Sequence, residues 1–161
     1  MPVAPGGAPG ATVDFAGNSP TAGQNFDSTR TAFGLLLPRA QDVYNFSWYE
    51  SEAIRPQIHT RETLAVGKFL DEQAYDLGVS VVAGAGNVES GRADTEIVPS
   101  PANGLNVMAV GSYADLRSST WAGDLISPMS SWRNPMGVFG GRPKPDVVAP
   151  GDAAYLFNEL G

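Results

Sequence analysis

The chain has 161 residues with no Cys, a single His, 19 Gly and 13 Pro, a length that suits one loop-rich globular unit with its own core. Ten Lys and Arg against seventeen Asp and Glu give a net charge of -7, which argues against a phosphate-tracking surface and hence against nucleic acid as partner. The absence of Cys excludes disulfides, thiol nucleophiles and Cys-based zinc sites, and any mechanism that needs a His base must use His59 or lies beyond this chain alone.

Met1 to Gly10 has neither a cationic start nor an apolar core, so no signal peptide is expected. The longest aliphatic run, Leu35-Leu36-Leu37, is too short for a membrane segment. The first 26 residues read as loop, with one short strand at Ala11-Thr12-Val13-Asp14-Phe15. Asp27 or Ser28 is placed to cap a helix whose apolar positions are Ala32, Phe33, Leu36 and Leu37, and Pro38 biases Leu37 away from continuing it. A strand is predicted over Val43 to Trp48.

Residues 49 to 59 are polar and irregular, and Thr60 then caps the most regular helix of the chain. Val66, Phe69, Leu70, Ala74 and Leu77 form one apolar stripe, with Gly78 just past its end. The run Val79-Ser80-Val81-Val82-Ala83 begins at once and suits a strand buried on both faces of a parallel sheet. Helix into strand is half of a βαβ unit. Asn106 to Val110 and Asp146 to Ala149 are bounded by Gly and Pro and read as further strands. The expected class is α/β, an open, mostly parallel sheet with flanking helices, and no linker divides residues 1–161.

The strand end Gly84-Ala85-Gly86-Asn87 resembles the oxyanion-hole segment of subtilisin-like serine proteases. Three further blocks follow in the same order as in that family. Asn106-Val107-Met108-Ala109-Val110-Gly111-Ser112 resembles its next strand, and Ser130-Ser131-Trp132-Arg133-Asn134-Pro135 its Ser-Ser-aromatic loop. Arg142-Pro143-Lys144-Pro145-Asp146-Val147-Val148-Ala149-Pro150-Gly151 is similar to the Lys-Pro-Asp-Val-x-Ala-Pro-Gly block that precedes the nucleophile. Upstream, Asp42 to Ser47 resembles the strand ending in Asn-x-Ser, and Val3 to Phe15 resembles the Val-Ala-Pro-Gly-Ala strand. The main resemblance covers residues 42 to 151.

The resemblance implies a serine endopeptidase on a subtilisin-like fold, incomplete at both ends, with a polypeptide as substrate. It implies that Asn87 donates its side-chain amide to the oxyanion. Ser47, Trp48 and Tyr49 together with Gly84, Ala85 and Gly86 would line the substrate cleft. By itself the tetrapeptide reads more simply as a strand-end turn, since Asn tolerates left-handed backbone, and only the other blocks favour the oxyanion role; Trp48 and Tyr49 read equally as core or rim aromatics. The family commonly has Gly just after the position of Ser47, where this chain has Trp48, Tyr49 and Glu50.

The family's Asp-Thr/Ser-Gly, His-Gly-Thr-His and Gly-Thr-Ser-Met-Ala motifs do not occur in the 161 residues. Asp14 lies too close ahead of Ser47, and His59 follows the substrate strand instead of preceding it, so His59 is read as a loop residue. The chain alone is therefore expected to be inactive, poorly stable and aggregation-prone. A non-catalytic pseudoprotease or peptide-binding module is the alternative.

The residues specify no cofactor and no metal ligand set. Some relatives bind Ca²⁺, for which Glu50, Glu52, Asp94 and Glu96 are the available carboxylates, although scattered carboxylates in an acidic chain read more simply as solvated surface. Relatives are usually exported, which implies an extracellular or cell-envelope location.

Overall fold

The computed structural model describes residues 25–36, 38, 41–49, 65–114, 124–137, 140–141 and 143–151. The strand expected at Ala11 to Phe15, the cap at Thr60, His59, Glu50 and Glu52 lie outside them. The chain forms two compact units, Met1–Ala40 and Gln41–Gly161.

In the first unit, α1 spans Asn25–Leu36. Thr29, Ala32 and Phe33, one helical turn apart, are buried, whereas Leu35 on the other side is exposed. The helix starts two residues earlier than the expected caps, so the backbone at Asp27 and Ser28 is already helical. It stops at Leu36, as Pro38 requires.

The second unit is built on a five-stranded sheet. β1 (Val43–Phe46), β2 (Ser80–Gly84) and β3 (Val107–Ala114) lie side by side and parallel, and β7 (Val147–Pro150) adds in parallel to the far half of β3. The short β4 (Leu125–Ile126) runs antiparallel to the last two residues of β3. A separate two-stranded hairpin joins β5 (Met136–Gly137) to β6 (Gly140–Gly141). The result is the expected open, mostly parallel α/β sheet with its helix. The sequence pattern does not announce β4, β5 or β6, because two-residue strands show no periodicity.

Register fixes the two faces of the sheet. Tyr44, Val81 and Val107 are paired across β1 to β3, as are Ala83 and Ala109, and all five are buried. On α2 (Ala65–Leu77), which packs against β2 and β3, the apolar stripe supplies Val66, Leu70 and Ala74 to the core. Leu77 is 46% exposed, because the last residue of the helix adjoins Gly78 (φ 65), where the chain reverses into β2. The opposite face carries Val43, Asn45, Val82, Met108 and Val147, and it is open: Val43, Met108 and Val147 are 56%, 47% and 46% exposed. β2 is thus buried on one face and half-buried on the other, where the sequence suggested burial on both.

The junction of helix and sheet is polar. Asp71 on α2 accepts hydrogen bonds from the backbone N–H groups of Leu105 (2.9 Å) and Asn106 (2.7 Å), which set the entry into β3. Among the described residues, no helix is long and apolar enough to cross a membrane.

Candidate active site

Ligands of open parallel sheets gather outside the carboxyl ends of the strands. Because Phe46 is paired with Ala83, β1 and β2 end at the same edge. Ser47, Trp48 and Tyr49 therefore leave the sheet beside the segment Gly84-Ala85-Gly86-Asn87. β1 ends at Phe46, short of the expected Trp48, so these three residues belong to the edge loop. Ser47 is exposed and its hydroxyl accepts a hydrogen bond from the Asn45 side-chain amide at 3.0 Å. Trp48 is half-buried and stands edge-on to Phe46, with ring centroids 6.3 Å apart at 72°. Tyr49 is half-buried as well.

The two glycines of the segment differ. A Cβ on Gly84 would meet nothing within 4 Å, so open space lies beside it. A Cβ on Gly86 would lie 2.8 Å from Pro99 Cδ and 3.1 Å from Ser131 Oγ, and its φ of +95 is one that side-chain-bearing residues rarely adopt. Ala85 between them is buried and its N–H donates to the Val110 carbonyl at 2.9 Å. Gly84 thus offers room at the edge, and Gly86 makes the turn.

Asn87 follows that turn and pairs antiparallel with Ser130 in an isolated bridge. Its neighbours hold the pairing: the Ser131 N–H donates to the Gly86 carbonyl at 3.0 Å, and the Val88 N–H donates to the Met129 carbonyl at 2.8 Å. In this pattern the two facing residues exchange no hydrogen bond, and the amide and carbonyl of Asn87 point away from Ser130. The Asn87 side chain is exposed, and its amide has no hydrogen-bond partner among the described residues. The left-handed conformation that a simple turn reading would give Asn87 is taken by Gly86.

Beyond Asn87 the chain enters a short 3-10 turn, Ala93–Glu96. Arg92 bridges Glu89 and Asp94 at 3.1 and 2.9 Å, and Arg133 faces Glu96 at 3.6 Å. Asp94 and Glu96, two of the carboxylates considered for a cation, are each engaged by an arginine. Among the described residues no group of three or more His, Cys, Asp or Glu is arranged to hold a metal ion.

Sequence reading assigned no role to Thr95, Pro99 or Ser131, all fully buried against this segment. The Ser-Ser pair was legible as a block, but its hydroxyl and amide bonds to residues far away in the chain were not.

No curated protein matches the chain. The family model described as the subtilase family, peptidase S8, matches residues 1–160, a longer stretch than the motifs alone cover. The chain carrying this parallel sheet and its Asn87 edge belongs to the subtilase family of serine peptidases.

Proposed function

We propose that this chain supplies the oxyanion donor and part of the substrate cleft of a subtilase that hydrolyses peptide bonds. The observation that carries the reading is Asn87: an exposed amide without a partner among the described residues, on backbone held from both sides, at the sheet edge where ligands collect. A donor fixed before the reaction stabilises developing charge without reorganising. The open space beside Gly84 and the exposed Ser47 support a cleft for an extended polypeptide between the two edge segments.

Acyl transfer of this type requires a Ser nucleophile, a His that accepts its proton and an Asp that orients the His. The family's motifs for these three are not among the 161 residues, so the reading assigns no hydrolysis to this chain by itself. In the working enzyme the Ser attacks the peptide carbonyl, its proton passes through the His to the leaving amine, and Asn87 with a backbone N–H receives the oxyanion. The family also favours action outside the cell or at its envelope.

The test is peptide hydrolysis by the protein expressed from its full reading frame, native against Asn87→Ala. Turnover should fall by about 10²–10³ with little change in KM, a magnitude borrowed from subtilisin, whose oxyanion asparagine is the reference case. Unchanged turnover removes Asn87 from the mechanism. Peptide binding with no hydrolysis in the native protein would favour a pseudoprotease.

A further inference from the structure

We infer that Ser131 and Thr95 act together as positioning residues for Asn87, an inference that rests on the oxyanion reading above. Asn87 is bracketed by two backbone–backbone hydrogen bonds and one from backbone to side chain. The carbonyl of the residue before it accepts from the Ser131 N–H at 3.0 Å, and the N–H of the residue after it donates to the Met129 carbonyl at 2.8 Å. The N–H of Glu89, one further on, donates to the Thr95 hydroxyl at 2.8 Å.

Ser131 and Thr95 are themselves coupled. The Ser131 hydroxyl donates to the Thr95 carbonyl at 2.6 Å, and the Thr95 hydroxyl donates to the Arg92 carbonyl at 2.7 Å. Both residues are fully buried; the Ser131–Thr95 bond is buried with them and the Thr95–Arg92 bond is part-buried, so their loss leaves polar groups poorly satisfied. Ser131 also fills the space that a side chain at position 86 would need, with its Oγ 3.1 Å from that Cβ position. One buried serine therefore fixes the turn before Asn87 and, through Thr95, the segment after it. Neither residue need touch substrate; their effect on turnover passes through the Asn87 amide.

The test is a double-mutant cycle on the protein expressed from its full reading frame. Ser131→Ala should lower kcat by about tenfold with KM unchanged within about twofold, since a displaced oxyanion donor weakens only the transition state. In an Asn87→Ala background, Ser131→Ala should have no further effect on kcat. Thr95→Val, which removes the hydroxyl and keeps the shape, should reproduce the fall, and Thr95→Ser should restore turnover. Amide exchange at Val88 and Glu89 should accelerate in Ser131→Ala and Thr95→Val while exchange within β2 stays slow. Equal losses from Ser131→Ala with and without Asn87 overturn the inference but leave the oxyanion reading standing. An Asn87→Ala enzyme with native turnover overturns the oxyanion reading and the inference with it. If Ser131→Ala does not fold, the Thr95→Val and Thr95→Ser pair decides the question.

Discussion

The Lys144 ammonium lies 2.7 Å from Oδ2 of Asp146, and the same carboxylate oxygen accepts the Ala109 N–H at 2.7 Å. Lys144 also donates to the Val107 carbonyl at 2.7 Å. Two residues of the Lys-Pro-Asp block thus clamp the segment leading into β7 onto the first residues of β3, which accounts physically for that block. The Lys144 side chain is 4% exposed and that of Asp146 38% exposed.

Asp146→Ala leaves a buried ammonium with only a carbonyl for company. Truncating one member of a buried pair costs about 3–5 kcal/mol, and the exposure of Asp146 reduces the expected loss to about 2 kcal/mol. Urea unfolding of Asp146→Ala, Lys144→Met and the double variant checks this. The double variant should be more stable than Asp146→Ala, because it no longer buries an unpaired charge.

Gly86→Ala and Gly78→Ala should separate backbone strain from crowding. Both glycines have positive φ, but a Cβ on Gly78 meets nothing within 4 Å, whereas one on Gly86 meets Pro99 at 2.8 Å. Gly78→Ala is expected to destabilise by about 1 kcal/mol. Gly86→Ala should cost about 2–4 kcal/mol, through left-handed strain and overpacking together. Equal shifts of the two melting temperatures would sink the distinction.

Asp71→Ala removes the acceptor of two backbone amides at the entry to β3, at Leu105 and Asn106. The bonds are solvent-exposed, so the loss should be about 1–2 kcal/mol by thermal unfolding. Gly104→Ala should weaken the same contact, because its Cβ would fall 2.7 Å from Asp71 Oδ1. Combined, the two substitutions should destabilise by less than their sum.

The open sheet face bearing Val43, Met108 and Val147 should bind an apolar dye and promote self-association of the purified 161-residue chain. Met108→Lys should reduce both, measured by dye fluorescence and light scattering. A monomer that binds no dye would show that this face is not sticky.

The α2 stripe was legible because a helix that buries one side must repeat every three to four residues, and Val66, Leu70 and Ala74 do so. β2 is legible as a strand, but only one of its faces is fully buried. An apolar run signals that a strand belongs in a sheet without saying what covers each face, and here Val82 is only half-buried. The C-terminal end of β1 was placed two residues late for a similar reason: Ser47 and Trp48 suit a strand locally, and pairing with β2 stops at Phe46.

At the site, the sequence by itself determined the family blocks, their order and the amide-bearing Asn87, because side-chain chemistry and strand-end glycines are local properties. Tertiary structure alone decided which glycine leaves space and which one turns, and that the Asn87 amide has no partner among the described residues. It also decided that Ser131 and Thr95 hold the backbone around Asn87. Those features depend on hydrogen bonds between segments tens of residues apart, and no local pattern of residue types encodes which distant carbonyl a buried serine will reach.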